Sequence, residues 1–311
     1  MFNPAKRPMV LDGGLATELA RRGFDIGGEL WSARLLADAP EAIQAVHRAY
    51  FEAGADVAIT ASYQASFEGF AARGFSRSDT ERLLQRSVSL ARAAREELAE
   101  SEGAAARTRW VAASVGPYGA TLHDGSEYRG DDGLSEDALV AFHQPRVDAL
   151  LGAGPDLLAC ETLPSLREAR AILRVLNAYP KARAWVSFTC RDGSSTCAGD
   201  AIAECARTLD AAPQVVAMGI NCVDPALVTS LVRTMAAVSD KPIVVYPNSG
   251  EVWNATTRCW EGNATRFTAH VREWLDAGAT WIGGCCRTTP EDIRLVRALV
   301  DSAVSRFPPA D

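Results

Sequence analysis

EAGADVAIT, from Glu52 to Thr60, is the stretch whose reading decides the fold, because it comes back twice: as GAGPDLLAC from Gly152 to Cys160 and as DAGATWIGG from Asp276 to Gly284. In each copy a glycine ends a helical-looking stretch, as a C-terminal cap does, and an apolar run begins at once. The unit reads as helix, tight turn, buried strand. Five further apolar runs stand at Met9 to Leu11, Trp110 to Ser114, Ala184 to Phe188, Val215 to Ile220 and Ile243 to Tyr246. With Val57 to Thr60, Leu157 to Cys160 and Trp281 to Gly284 they make eight. They are nearly continuous in Val, Ile, Leu and Ala instead of alternating with polar residues, as parallel strands buried on both faces are.

Amphipathic helices are expected between them, for example Glu41 to Ala53, Asp79 to Glu100 and Ser135 to Leu151, with apolar residues at three- and four-residue spacing. Eight strands alternating with helices over 311 residues point to a (β/α)8 barrel. A doubly wound open sheet is the competitor, and no GxGxxG or GxxxxGK[ST] motif follows any strand to support it. No linker or long low-complexity tract interrupts the chain, so residues 1–311 read as a single domain. The longest insertion, Gly116 to Gly133, follows the third strand.

With Lys+Arg 32 against Asp+Glu 39 the net charge is -7, and the basic residues are scattered. Nucleic acid and anionic membranes are therefore poor partners. No signal-peptide-like stretch opens the chain and no apolar run is long enough to span a bilayer, so a cytoplasmic protein is expected, and a monomer. The eight cysteines, two adjacent at Cys285 and Cys286, fit metal binding or catalysis better than a disulfide framework. Cys160, Cys190, Cys205 and Cys259 read more plainly as small buried hydrophobes.

A barrel builds its active site at the C-terminal ends of its strands. There stand Asp12-Gly13-Gly14, Thr60-Ala61-Ser62, Ser114-Val115-Gly116, Cys160-Glu161-Thr162, Thr189, Asn221-Cys222, Pro247-Asn248-Ser249 and Gly284-Cys285-Cys286. Cys222 ends the sixth strand and Cys285-Cys286 the eighth, near enough for three thiolates to converge on one ion. Three sulfur ligands with an open fourth position suit Zn2+. The flanking glycines of GGCCR would let the backbone approach the metal and take up conformations a side chain forbids.

A thiolate-rich zinc is a feeble Lewis acid toward carbonyls but holds a fourth thiolate well, ionised and nucleophilic near neutral pH. The natural reaction is alkyl transfer to sulfur. None of His47, His123, His143 and His270 falls at a strand end, which argues against a His-ligated zinc hydrolase. The rest of the rim suits an amino acid: Glu161 or Asp12 for its ammonium group, backbone N–H groups near Gly13 and Gly14 for its carboxylate, with Ser62 and Ser114 beside them. Trp31, Tyr63, Tyr118 and Tyr128 offer π-faces to a cationic sulfonium. The plainer alternative for Asp12 and Glu161 is a helix N-cap or a surface charge, and for each aromatic it is packing.

LDGGLATEL, ITASYQAS, SVGPYGA with GSEYRG, LLACETLP, GINC, VVYPNSGE and IGGCCRTTP cover nearly the whole chain. At these motifs it resembles the homocysteine S-methyltransferases, in particular the branch using S-methylmethionine or S-adenosylmethionine as donor. The resemblance implies the same barrel, zinc on Cys222, Cys285 and Cys286, and homocysteine contacted by Asp12, Glu161 and Asn221. It also implies a donor site bordered by Trp31 and the loop bearing Tyr118 and Tyr128. Arg191 to Asp200 departs from the Asp-Gly-Thr-type loop expected after the fifth strand and leaves donor preference open.

Three alternatives compete with this reading. One is methylation of selenocysteine or another thiol or selenol. Another is a redox pair at Cys285 and Cys286, disfavoured because adjacent cysteines close a strained ring. The third is a barrel that binds a ligand without turning it over.

Overall fold

A computed structural model describes residues 8–27, 30–131, 133–254, 259–261 and 267–304. Its central sheet comprises β1 (Met9–Val10), β2 (Val57–Ile59), β3 (Trp110–Val115), β4 (Leu157–Leu163), β5 (Ala184–Phe188), β6 (Val215–Asn221), β7 (Ile243–Tyr246) and β8 (Ala279–Ile282). All neighbours are parallel and run in chain order from β2 to β8, with β8 returning to β1. Leu11 bridges Val57, and the N–H groups of Asp12 and Asp56 donate to the carbonyls of Val57 and Val10 at 3.0 and 2.7 Å. These contacts close the sheet into the expected (β/α)8 barrel. Val252–Asn254 and Cys259–Glu261 form a separate antiparallel ribbon that the apolar pattern does not announce.

The repeated motif has a physical reason. Gly54, Gly154 and Gly278 sit at φ of 104°, 67° and 115°, the left-handed region that closes a helix and that glycine enters without strain. Two residues later a side-chain oxygen accepts a strand N–H: Asp56 from Val10 at 2.9 Å, Asp156 from Val111 at 2.8 Å and Thr280 from Ile243 at 3.1 Å. Each copy thus turns the chain and ties a new strand to the start of the one before it.

Alternate residues of the strands fill the barrel and face the helices. Inside, Trp185 meets Trp281 and Tyr246 edge-on at centroid distances of 5.9 and 6.2 Å, beside small Ala112, Ala159 and Ala217. Outside, Val10, Ala58, Val111, Leu158 and Val186 join the larger apolar layer under the helices. Burial on both faces accounts for the continuous apolar runs.

The expected helices occupy Pro40–Glu52, Arg77–Glu102 and Glu136–Gly152, displaced by one or two residues because caps set the ends. Ser76 forms a capping box with Asp79, and the Ser135 hydroxyl accepts the Ala138 N–H instead of starting the helix itself. Among the described residues no helix is long and apolar enough to cross a membrane. Cys160, Cys190 and Cys205 are buried, as expected of small hydrophobes. The side chain of Cys259 lies outside the described residues.

Candidate metal centre and active site

Cys222 leaves β6 and Cys285-Cys286 leaves β8, so β7 lies between them. The exit of β7 stitches both segments together. The Cys222 N–H donates to the Tyr246 carbonyl at 3.1 Å, the Cys285 N–H to the Pro247 carbonyl at 2.8 Å, and the Ser249 N–H to the Cys286 carbonyl at 3.1 Å. The three Sγ atoms consequently lie within 4.8 Å of one another, with Cys222 and Cys286 at 3.9 Å. Three sulfurs about 2.3 Å from one tetrahedral zinc stand about 3.8 Å apart, so the trio fits a single ion. Hydrogen bonds from Cys285 and Cys286 draw the Cys222 thiol well below its ordinary pKa.

The glycines here act through space and not through φ, contrary to the expectation for GGCCR. A Cβ on Gly284 would stand 2.3 Å from Thr288 Oγ1, and one on Gly14 would stand 2.6 Å from the Cys285 carbonyl. Left-handed backbone falls instead on Cys222 at φ 53° and Arg287 at φ 66°. Among the described residues six non-glycines have positive φ: Thr162 lies near the end of β4, Cys222 directly follows β6 and Arg287 follows the Cys285-Cys286 pair, while Leu30, Trp31 and His123 lie farther along the chain from β1 and β3. Such strain gathers where geometry serves function.

Two buried carboxyl groups belong to the rim. Asp12 is 1 % exposed: its Oδ2 accepts the Ile59 N–H at 2.8 Å, while Oδ1 is buried with no hydrogen-bond partner. Burial holds its pKa well above the carboxylate range, and the charge of Glu161 adds to this. Glu161 is pushed up to about 7 by burial against the bonds it receives from Ser114 and Tyr246. Neither is a helix cap or a surface charge. A bulge aims Glu161: between Cys160 and Leu163 β4 carries one residue more than β5 opposite, and the bulge holds Thr162 at φ 59°.

A thiol trio, two buried acids and a barrel mouth can be compared with known proteins. The family model described as "Homocysteine S-methyltransferase" matches residues 9–300. The chain belongs to the homocysteine S-methyltransferase family. It is 50% identical over 294 residues to the homocysteine S-methyltransferase YbgG of Bacillus subtilis (strain 168), with 93% of each chain covered. The metallated form of the homocysteine methyltransferase MmuM from Escherichia coli has a similar crystal structure, with TM-score 0.87, 48% identity and coverage of 94% of this chain and 96% of that one. A selenocysteine methyltransferase from Astragalus bisulcatus is 42% identical over 323 residues, covering 98% and 96%.

In this family member the remaining expected residues divide. Tyr128 reaches the trio, its hydroxyl 3.2 Å from Cys222 Sγ. Trp31 and Tyr63 meet edge-on at 6.5 Å, and the Tyr63 hydroxyl bonds Thr162. Tyr118 turns away: its ring packs on Phe142 at 5.1 Å and its N–H donates to Glu168 at 2.7 Å. The Gly14 N–H donates to Thr288 Oγ1 at 3.1 Å. Ser62 donates to the Ser114 carbonyl at 2.8 Å, and Ser114 in turn holds Glu161. Asn221 is fully buried and bonded to Thr162 and Ser187.

Sequence reasoning passed over two side chains, Tyr246 and Glu127, and placed Asn248 on the rim without giving it a role. Tyr246 reads as the end of an apolar run, yet its hydroxyl meets Trp185 Nε1 at 2.9 Å and Ser187 Oγ at 2.7 Å, and it bonds Glu161. Asn248 bonds Cys222, and its Oδ1 is buried without a partner. Glu127, inside GSEYRG beside the chosen Tyr128, is 9 % exposed with Oε2 unpartnered. Period-two alternation places Tyr246 inside the barrel and the strand-end rule marks Asn248; no local pattern marks Glu127.

Proposed function

We propose that this protein methylates the thiol of L-homocysteine, taking the methyl group from a sulfonium, with S-methylmethionine as the first donor and S-adenosylmethionine as the second. The observation that carries this is the convergence of three thiols next to two buried carboxyl groups. Cys222, Cys285 and Cys286 would hold zinc, which when bound would supply the charge that keeps a substrate thiol ionised near neutral pH.

The chain's own residues bind and aim. Asp12 and Glu161 receive the homocysteine ammonium, for which the free Oδ1 of Asp12 is a ready acceptor. Asn221 holds the Thr162 bulge that presents Glu161, and Ser114, supported by Ser62, orients the Glu161 carboxyl. The backbone N–H of Gly13 is the group offered to the homocysteine carboxylate. Trp31, Tyr63 and Tyr128 turn aromatic groups toward the sulfonium. The thiol proton leaves to solvent. The new carbon–sulfur bond forms as the sulfonium's bond to the same methyl breaks, and that electron pair stays on the donor sulfur, now a neutral thioether. No protein acid or base acts on the methyl group.

Three thiols that must remain reduced suit a cytoplasmic setting, and the small substrates need neither a second chain nor a nucleic acid. The decisive experiment supplies zinc-loaded protein with homocysteine and S-methylmethionine and measures methionine. Absence of methionine with one zinc per chain overturns the reading. The selenocysteine methyltransferase relative supports a second acceptor, since a selenolate attacks a methyl sulfonium still more readily. Competition between the two acceptors ranks them.

A further inference from the structure

Glu127 stands on the one-turn helix Ser126–Tyr128 that follows β3, and the next residue, Tyr128, touches Cys222 Sγ at 3.2 Å. The turn is pressed into place, since a Cβ on Gly119 would stand 2.7 Å from the Glu127 nitrogen. More than nine-tenths of Glu127 is buried; its own amide N–H bonds the carboxyl, and Oε2 has no partner. Arg129, the guanidinium whose charge acts on Glu127, is engaged by Asp124, Asp131 and Ser126. The carboxyl is close enough to the thiol site for its charge to act on Tyr63, Tyr128 and Cys286.

A buried carboxylate oxygen without a hydrogen-bond donor is costly unless a ligand supplies one. A sulfonium has no hydrogen to give, and its charge suits aromatic faces. An ammonium group has three. The site holds two orphaned carboxylate oxygens, Asp12 Oδ1 near Glu161 and Glu127 Oε2 on the loop carrying Tyr128. The proposed reaction brings two amino acids, each with one ammonium. We infer that Glu127 receives the ammonium group of the methyl donor, so that the protein selects amino-acid sulfoniums over sulfonium compounds lacking an amino group. The inference rests on the methyl-transfer reading and adds the residue that sets donor class.

The test uses zinc-loaded full-length protein, saturating homocysteine and two donors: S-methylmethionine, and 4-dimethylsulfoniobutyrate, which keeps the sulfonium, the carboxylate and the three carbons between them without the amine. The wild-type protein is expected to favour S-methylmethionine by about 10- to 100-fold in kcat/KM, the range of a charged hydrogen bond. Glu127→Gln should raise KM for S-methylmethionine by a similar factor, leaving the other donor, the homocysteine KM and the zinc content within about twofold. If the wild type makes methionine equally well from both donors, the inference is overturned while methyl transfer stands. The same holds if Glu127→Gln weakens both donors alike, leaves both unchanged, or raises the homocysteine KM instead. If neither donor yields methionine, the methyl-transfer reading fails and takes the inference with it. Equal use of the two donors by the wild type overturns the inference even where the variant does not fold.

Discussion

Asn221 grips Thr162 with both ends of its amide: Oδ1 accepts the Thr162 N–H at 2.7 Å and Nδ2 donates to Thr162 Oγ1 at 2.7 Å. Thr162 needs the grip because a β-branched residue at φ 59° is strained, and its N–H has left the regular ladder at the β4 bulge. Truncating Asn221 to Ala orphans a buried N–H and removes three hydrogen bonds, counting that from Ser187. Asn221→Ala should lose about 2 to 4 kcal/mol in urea unfolding. A loss below about 1 kcal/mol would show that water replaces the amide and that the bulge holds itself.

Cys285 contributes to the site through its sulfur and to the fold through its backbone, since its N–H and carbonyl bond Pro247 and Thr288. Cys285→Ala keeps both backbone bonds. Zinc content and methionine formation should both disappear while the circular dichroism of the metal-free variant matches that of the metal-free parent. Normal turnover by Cys285→Ala would remove it from the ligand set.

Gly14 tests whether the thiols depend on the exit of β1. An added methyl would lie 2.6 Å from the Cys285 carbonyl, which must shift and carry the thiols with it. Gly14→Ala is expected to weaken zinc binding by about 10- to 100-fold in a chelator competition, as loss of outer support does elsewhere. Gly219→Ala should behave differently: its Cβ would stand 1.8 Å from the Val244 carbonyl inside the sheet, and no soluble protein is expected. Unchanged zinc affinity in Gly14→Ala would separate the turn from β1.

The raised pKa of Glu161 has a signed consequence for the metal-free, substrate-free protein. Its folded value is about 7 against an ordinary 4.5, so between these pH values the folded chain keeps a proton that the unfolded chain has released. The stability this confers is fully present below about pH 4.5 and is lost as pH rises toward 7, at up to about 1.4 kcal/mol per unit. Glu161→Gln removes this dependence. Relative to that variant, the parent should lose stability in urea unfolding between pH 4.5 and 7.5. Parallel profiles for the two proteins would mean that Glu161 is solvated in the folded state.

The barrel was legible because its signals are local. A glycine cap followed by an apolar run, as at Gly54, Gly154 and Gly278, reports a helix end and a strand start within ten residues. The cysteines were legible for a related reason: strand ends of a closed barrel share one rim, so Cys222 and Cys285-Cys286 are neighbours once the strand order is known. Tyr118 and Gly14 show the limit. Their residue types suit a ligand, yet Phe142 takes the Tyr118 ring and Thr288 takes the Gly14 N–H, and neither partner is close in sequence.

From the order of its residues alone this chain specified eight strands, their parallel arrangement and the three thiols that belong together, since backbone turns and burial periodicity act over a few residues. Only the folded molecule decided that the exit of β7 would be the stitch between the cysteines. It alone showed that a bulge at Thr162 would swing Glu161 into the barrel mouth, and that Asp12 and Glu127 would each bury an oxygen with nothing bound to it. These outcomes depend on which partners distant segments bring, and a hydrogen bond between residues tens of positions apart leaves no mark on the sequence near either one.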